Sequence, residues 1–360
     1  MNKHYLYALF AVIALFLVAY VGAAVLGLRI IFGVIIPYLA AIAFVGGVIY
    51  KIMGWSRSAV PFAIPTTCGQ QKTLPWIKPS RIDCPSTTGG VILRMFFEVT
   101  CFRSLFRNTK MRLEEGNRLT YKWEIWLWGV ALAFHYAFLV VIIRHLRLFI
   151  TPVPFFVDML EKVDGFFKVE LAYDAIHFGL PGVYLSGFVL LGAVTFLLVR
   201  RLWIPQIRYI SLAADYFPLF LIFGIAFTGI LMRYFIKIDV VEAKALAMGL
   251  VTLHPTAPAG IGGIFYVHLF FVSVLLAYFP FSKLMHAGGV FLSPTRNMAT
   301  NTREKRHVNP WNYPVKVHTY EEYEDEFREK MVEAGLPVDK PLETPAAETD
   351  DPSATAEPSA

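Results

Sequence analysis

The chain has 360 residues, 56% of them hydrophobic and 17% charged, and carries a formal net charge of +6. Soluble domains carry about 25% charged residues, so this composition excludes an ordinary soluble protein. The positive balance is concentrated in particular loops, which accounts for it without a nucleic-acid partner.

Apolar runs define the elements. Residues 5–26, 30–50, 178–199 and 261–282 contain no Lys, Arg, Asp or Glu. Each has the roughly 20 residues that a helix needs to cross about 30 Å of hydrocarbon. Two further runs qualify with charges inside them: 123–149, with Glu124, Arg144 and Arg147, and 216–236, with Arg233. In lipid every backbone group must be satisfied internally, and runs of this length without alternation suit helices rather than barrel strands. The prediction is an all-α integral membrane bundle of six transmembrane helices. Val21-Gly22-Ala23-Ala24 offers small residues of the kind found at signal-peptide cleavage sites. The first run is longer than a signal core of about 7–15 residues, so a retained helix is expected.

Charge sets the topology. Loop 51–122 has twelve Lys or Arg against four acids, loop 200–214 contains Arg200, Arg201 and Arg208, and the stretch after Lys283 adds Arg296, Arg303, Lys305 and Arg306. Segment 150–177 has two lysines against five acids, and 238–260 one against two. Basic loops stay on the cytoplasmic side, so the expectation is a multi-pass protein of the cytoplasmic (inner) membrane with both termini inside. The resulting organisation is two N-terminal spans over 1–53, a cytoplasmic loop over 54–121, a four-span core over 122–286 and a cytoplasmic tail over 287–360.

Within the long loop, the first half is rich in Pro, Thr and Gly and reads as an irregular docking surface. Over 90–109, Val91, Met95, Phe96, Val99, Phe102 and Phe106 recur at helical spacing, which predicts an amphipathic helix. It fits the membrane interface or a neighbouring subunit equally well. A short helix is expected around Phe155–Phe167, a loop over 254–263 and an acidic helix over 320–335. Residues 341–360 are Pro/Ala/Glu/Ser/Thr-rich, a composition that predicts disorder.

The candidate chemistry lies in four histidines within apolar runs: His135 and His145 in the third, His268 and His286 in or at the end of the sixth. A polar, titratable imidazole in such surroundings needs a partner. On an ideal helix ten residues advance about 15 Å, whereas 18 residues make five turns and about 27 Å. The two helices are antiparallel by the charge argument. His135 and His286 therefore fall towards the cytoplasmic side, and His145 and His268 towards the outside. Facing pairs at two depths can supply axial ligands to two haem irons. The unequal spacings require a tilt or a displaced helix end. Hydrogen bonding between helices is the alternative for each ring. Arg144 and Arg147, beside His145, either snorkel to the interface or pair with haem propionates. His177 and His254 either border a quinone pocket or are interfacial polar residues, and either could replace one of the four ligands.

Cys68, Cys84 and Cys101 form no C-x-x-C pair, so no zinc site or self-contained iron–sulfur cluster is encoded. Packing or a partner contact is expected of them. No nucleotide loop, nucleophile elbow or zincin motif appears. The chain has no complete substrate-reducing site of its own, so its chemistry must come from a bound cofactor.

The ten- and eighteen-residue histidine spacings resemble those of the cytochrome b (gamma) subunits of respiratory nitrate reductases, over helices two to six. The loop stretch CGQQKTLPWIKPSRIDCPSTTGGVILRMFFEVTCFRSLFRNTK resembles the DsrM family, the di-haem membrane subunits of DsrMKJOP complexes in sulfate- and sulfur-metabolising prokaryotes. The resemblance implies a four- to five-helix di-haem core with two b-type haems, His135 and His286 holding the inner haem and His145 and His268 the outer. It also implies menaquinone/menaquinol as exchange partner. On the cytoplasmic side it implies an iron–sulfur subunit resembling DsrK, the other DsrMKJOP subunits and, indirectly, DsrC.

Two other classes remain. A proton-coupled transporter using the histidines as a relay would show discontinuous helices or inverted repeats, and no repeat is visible. A haem-free membrane anchor for a soluble oxidoreductase explains the loop but leaves four imidazoles in apolar surroundings without partners.

Overall fold

A computed structural model of the chain describes residues 3–342 except 59, 61–62, 65–79, 167–168, 174–175, 181–182, 259, 302–304, 306–307 and 309–317, and describes no side chains over 166–182. Cys68, most of the first half of the long loop and the tail from 343 onward lie outside the described residues. The chain forms two compact units, Met1–Trp311 and Asn312–Ala360.

The apolar runs fold as helices because only that conformation closes their backbone hydrogen bonds locally. Helix α1 (His4–Tyr20) continues through a π turn at Val21–Val25, and a second π turn, Ile31–Ile35, leads into α2 (Ile36–Ser56). Helix α3 (Thr88–Cys101) starts at Thr87, whose hydroxyl accepts from the Gly90 N–H, and stops at Phe102, which has a left-handed φ of 49°. Helix α4 (Arg103–Phe106) follows, then the antiparallel strands β1 (Thr109–Glu114) and β2 (Arg118–Trp123). Helix α5 (Ile125–His145) ends in a 3-10 turn, Leu146–Leu148, and α6 (Phe155–Asp164) follows. Two small pairs come next: β3 (Gly165–Phe166) with β6 (Val183–Tyr184), enclosing β4 (Val169–Tyr173) with β5 (Ile176–Leu180).

Helix α7 (Leu185–Trp203), the short α8 (Pro205–Ile210) and α9 (Ala213–Leu231), with a π turn at Met232–Ile236, complete the middle of the bundle. Helix α10 (Val240–Val251) is followed by α11 (Gly263–Tyr278). After α11 the chain makes a 3-10 turn at Phe279–Phe281, passes Ser282 in extended conformation, makes a second turn at Lys283–Met285 and enters α12 (His286–Leu292). In the second unit, α13 (Tyr320–Glu333) is closed by a Thr319/Glu322 capping box. Its buried Glu324 accepts from the backbone N–H groups of Asp339 and Lys340.

Among the described residues, helices α1, α2, α5, α7, α9 and α11, with their end turns, are the six segments long and apolar enough to cross a membrane. The mostly helical, six-span expectation holds, with corrections at the edges. The fourth span begins at Leu185 rather than near 178, because Pro181-Gly182 interrupts the apolar run and residues 176–180 are extended. The amphipathic helix ends at Cys101 instead of 109. The segment 238–260, read as loop, contains α10, and the β1–β2 hairpin was not anticipated.

Three apolar clusters hold the bundle among the described residues, and the two largest join most of its spans. One joins α1, α2, α9 and α11 through residues such as Phe32, Leu221, Tyr266 and Phe271. The other joins α5, α7 and α9 through Ala137, Leu190, Val194 and Ile222. Close packing runs α5 on α7, α7 on α9, α9 on α11 and α11 on α2; α5 and α11 are not among the closely packed pairs. The α9–α11 approach depends on Gly224, where an added Cβ would lie 2.8 Å from the ring of Phe271, itself only 2% exposed. Gly224→Val is expected to cost about 2–3 kcal/mol through overpacking. The check is a lower unfolding midpoint in detergent.

Candidate functional site

The structure brings together the two histidine pairs expected from the sequence. The rings of His135 and His286 lie 5.9 Å apart, centre to centre, with planes at 82°. Those of His145 and His268 lie 6.4 Å apart at 14°. His286 reaches its partner because it is not on the sixth helix: the break at Ser282 and the two flanking 3-10 turns displace it from the α11 axis. The mismatch between 15 Å and 27 Å therefore disappears, since the 18-residue interval is not one straight helix.

Each ring is also oriented. Nδ1 of His135 lies 2.7 Å from the Ala131 carbonyl, that of His145 2.7 Å from the Val141 carbonyl, and that of His286 2.7 Å from the Lys283 carbonyl. A carbonyl can only accept, so Nδ1 is the donor in all three, and this bond leaves Nε2 for another partner. Nδ1 of His268 lies 2.9 Å from Oγ1 of Thr228, a buried residue of α9. That hydroxyl has the Gly224 carbonyl within 2.7 Å as acceptor for its own proton, so the ring is again the donor. With Nδ1 of each ring engaged by an oxygen, Nε2 is the nitrogen left for a metal between facing rings.

The spacing tests the fit. Two imidazoles on opposite sides of one iron need ring centres on the order of 6 Å apart, from metal–nitrogen bonds of about 2 Å and a nitrogen about 1 Å from each ring centre. Both pairs meet this. Among the described residues no three His, Cys, Asp or Glu side chains gather into a metal cluster. Each pair thus offers two ligands, the number that a haem-type group would take from the protein.

The first pair sits under a cap built by the long loop. Phe102, held in its left-handed conformation, presents its ring edge-on to His135 at 4.9 Å. The C-terminal carbonyls of α3 are satisfied from α5: Trp128 Nε1 donates to Cys101 O at 2.7 Å and the Tyr136 hydroxyl to Thr100 O at 2.9 Å. Asp83 binds Arg103 at 2.9 Å and also pairs with Arg107. Burial opposes ionisation of its carboxyl, but hydrogen bonds from Arg103 and Ser80, with the charges of Arg103 and Arg107, hold it below the usual carboxylate range. Glu98 binds Arg296 at 3.0 Å, and buried Cys84 contacts Thr300 at 3.0 Å, tying the loop to the chain after α12. Cys84 is thus a packing residue, while Cys101 is exposed.

Beside the second pair, Arg144 donates to Asp164 at 2.8 Å and to Ser186 at 3.1 Å, and lies over the ring of Tyr184. Arg147 pairs with Glu161. The two arginines are therefore engaged with α6 and the start of α7, although Nε of Arg144 is buried without a hydrogen-bond partner. His177 lies in β5, opposite Ala172, and its side chain is outside the described residues. His254 is exposed, with Nδ1 2.7 Å from Thr252 O, in the loop before α11. Reasoning from sequence missed Thr228, Asp164 and Ser186, and also Arg233, whose guanidinium lies 4.6 Å from the centre of the Tyr184 ring. A charged residue in an apolar run was the available signal for Arg233 alone.

Fold and site together define a multi-pass helical membrane protein with two facing imidazole pairs. The chain belongs to the nitrate reductase gamma subunit family, which it matches over residues 92–302. It is also 47% identical over 290 residues to the Hdr-like menaquinol oxidoreductase cytochrome b-like subunit of Archaeoglobus fulgidus, covering 79% of this chain and 84% of that one. The protein of the same description from Archaeoglobus profundus is 42% identical over 283 residues, covering 77% and 81%.

Proposed function

We propose that this chain is the membrane cytochrome b subunit of an oxidoreductase complex in dissimilatory sulfur metabolism. It exchanges electrons between the menaquinone pool and a cytoplasmic iron–sulfur subunit resembling DsrK and the heterodisulfide reductases. His135 and His286 hold an inner b-type haem, and His145 and His268 an outer one. The observation that carries this reading is that the four imidazoles face each other in two pairs with ring centres 5.9 and 6.4 Å apart, each with Nδ1 already engaged by an oxygen. The relatives' description as Hdr-like menaquinol oxidoreductase cytochrome b-like subunits supports the choice of quinol and of an Hdr-like partner.

Bound haem supplies one-electron chemistry. The chain's own contribution is to fix the depth, tautomer and plane of each ligand. Quinol is assigned to the outer end, near His145, on the side away from the basic loop. The docking of the soluble partner is assigned to the loop 54–121, because its described part caps the inner pair and the loop carries more basic than acidic residues. This assignment puts both termini in the cytoplasm and the chain in the inner membrane, with DsrC and the remaining DsrMKJOP-type subunits reached through the partner.

The ring planes sharpen the test. Near-perpendicular imidazoles leave the two π-type d orbitals of a ferric iron almost degenerate, whereas near-parallel ones split them. Protein purified from a haem-supplied host is expected to show a low-spin b-type reduced-minus-oxidised spectrum, with about two haems per chain. Electron paramagnetic resonance is expected to show two species, a highly anisotropic one from the inner pair and a rhombic one from the outer. Absence of any b-type spectrum overturns the reading.

A further inference from the structure

We propose that Thr228 is the positioning residue of the outer pair, setting the plane of His268 and tuning the potential of the metal it holds. Three of the four imidazoles anchor Nδ1 to main-chain carbonyls three or four residues earlier in their own segment. His268 instead binds across to α9, with Nδ1 2.9 Å from Thr228 Oγ1. The hydroxyl is in turn fixed to its own helix, 2.7 Å from Gly224 O and 3.1 Å from Ile225 O. Thr228 is 2% exposed, so water does not compete for it.

The contact is built by close packing. Gly224 admits Phe271 one turn along α11, since an added Cβ there would stand 2.8 Å from its ring. The near-parallel plane of His268 against His145 is thus set by the register of α9 on α11, whereas His145 is oriented by α5 alone. A hydroxyl whose proton is committed elsewhere is a good acceptor for Nδ1–H. Drawing that proton outward raises electron density at Nε2, which favours the oxidised, more highly charged metal. Removing the hydroxyl therefore favours the reduced form of the outer centre and leaves the inner one unaffected.

This rests on the two-haem reading, and the experiment separates the two. Wild type, Thr228→Val, Thr228→Ser and Thr228→Ala are compared by optical redox titration, with the rhombic resonance identifying the outer centre. In Thr228→Val, the reduced-to-oxidised ratio of that centre at fixed ambient potential is expected to rise roughly three- to tenfold, the span of one net hydrogen bond. The rhombic signal shifts, the anisotropic one stays, and Thr228→Ser behaves as wild type. An unshifted Thr228→Val protein with both haems bound overturns the proposal. If valine costs the outer haem, serine and alanine decide: a shifted alanine with a wild-type-like serine supports it, and two equal proteins overturn it. Wild type without any b-type signal removes the two-haem reading itself, and this proposal with it.

Discussion

His145→Ala is expected to halve the haem content, from about two to about one per chain, and to cut quinol-linked reduction of the complex by about 100-fold or more. The argument is geometric. His145 faces His268 and is tied by its own Nδ1 to Val141, so nothing in the inner pair depends on it. The rhombic resonance should vanish and the highly anisotropic one remain. His286→Ala is the mirror experiment, since its ring hangs from Lys283 on a separate turn after the Ser282 break. Equal loss of both haems in either variant would mean that the two pairs are not independent sites. Retention of both would mean that these imidazoles are not the ligands.

Much of this site could be read from the sequence because imidazoles are conspicuous in uncharged runs, and charge asymmetry orders them by depth. What could not be read was how His286 meets its partner. Periodicity treats 261–286 as one helix, whereas Pro280 and Ser282 end it and restart the chain on a different axis. Thr228 was invisible for another reason. A threonine in an apolar helix usually returns its hydroxyl to a carbonyl one turn back, and this one does so; its second role appears only when α11 is placed beside it.

The fold divides in the same way. Spans defined by length and lack of charge are recovered, because the bilayer imposes a length that tertiary context does not change. Outside the spans, α3, α6 and α13 are recovered from periodicity and charge with altered ends, whereas α10 and the strand pairs, which depend more on their neighbours, are not. The β1–β2 hairpin did have a local signal, Gly116-Asn117 with φ of 80° and 57°, between segments of alternating apolar residues. No element was expected there, between the amphipathic segment 90–109 and the span that begins at 123. Charge was also misleading within that loop. Arg103 and Arg107, counted as surface cations, neutralise a shared Asp83, so part of the basic excess is internal structure rather than docking surface.

Asp164→Ala is expected to destabilise the outer end of the bundle by about 3–5 kcal/mol, the cost of breaking a buried ion pair from one side. The carboxylate is 7% exposed and its partner Arg144 15%. It accepts three hydrogen bonds: 2.8 Å from Arg144, 2.7 Å from the Ser186 N–H and 2.6 Å from the Ser186 hydroxyl. Removing it frees the end of α6, uncaps the start of α7 and strands a guanidinium whose Nε already lacks a partner. Since Arg144 immediately precedes His145, the strain falls on the outer pair first. Thermal unfolding of the holoprotein, followed by loss of each haem signal, should show the outer haem released at a distinctly lower temperature than the inner one. The double variant Asp164→Ala/Arg144→Leu discriminates between causes. With no stranded charge it should recover a large part of the lost stability, because the penalty lies mainly in the unpaired cation. No recovery would place the cost in the lost Ser186 bonds and in the docking of α6, making Asp164 chiefly a cap for α7.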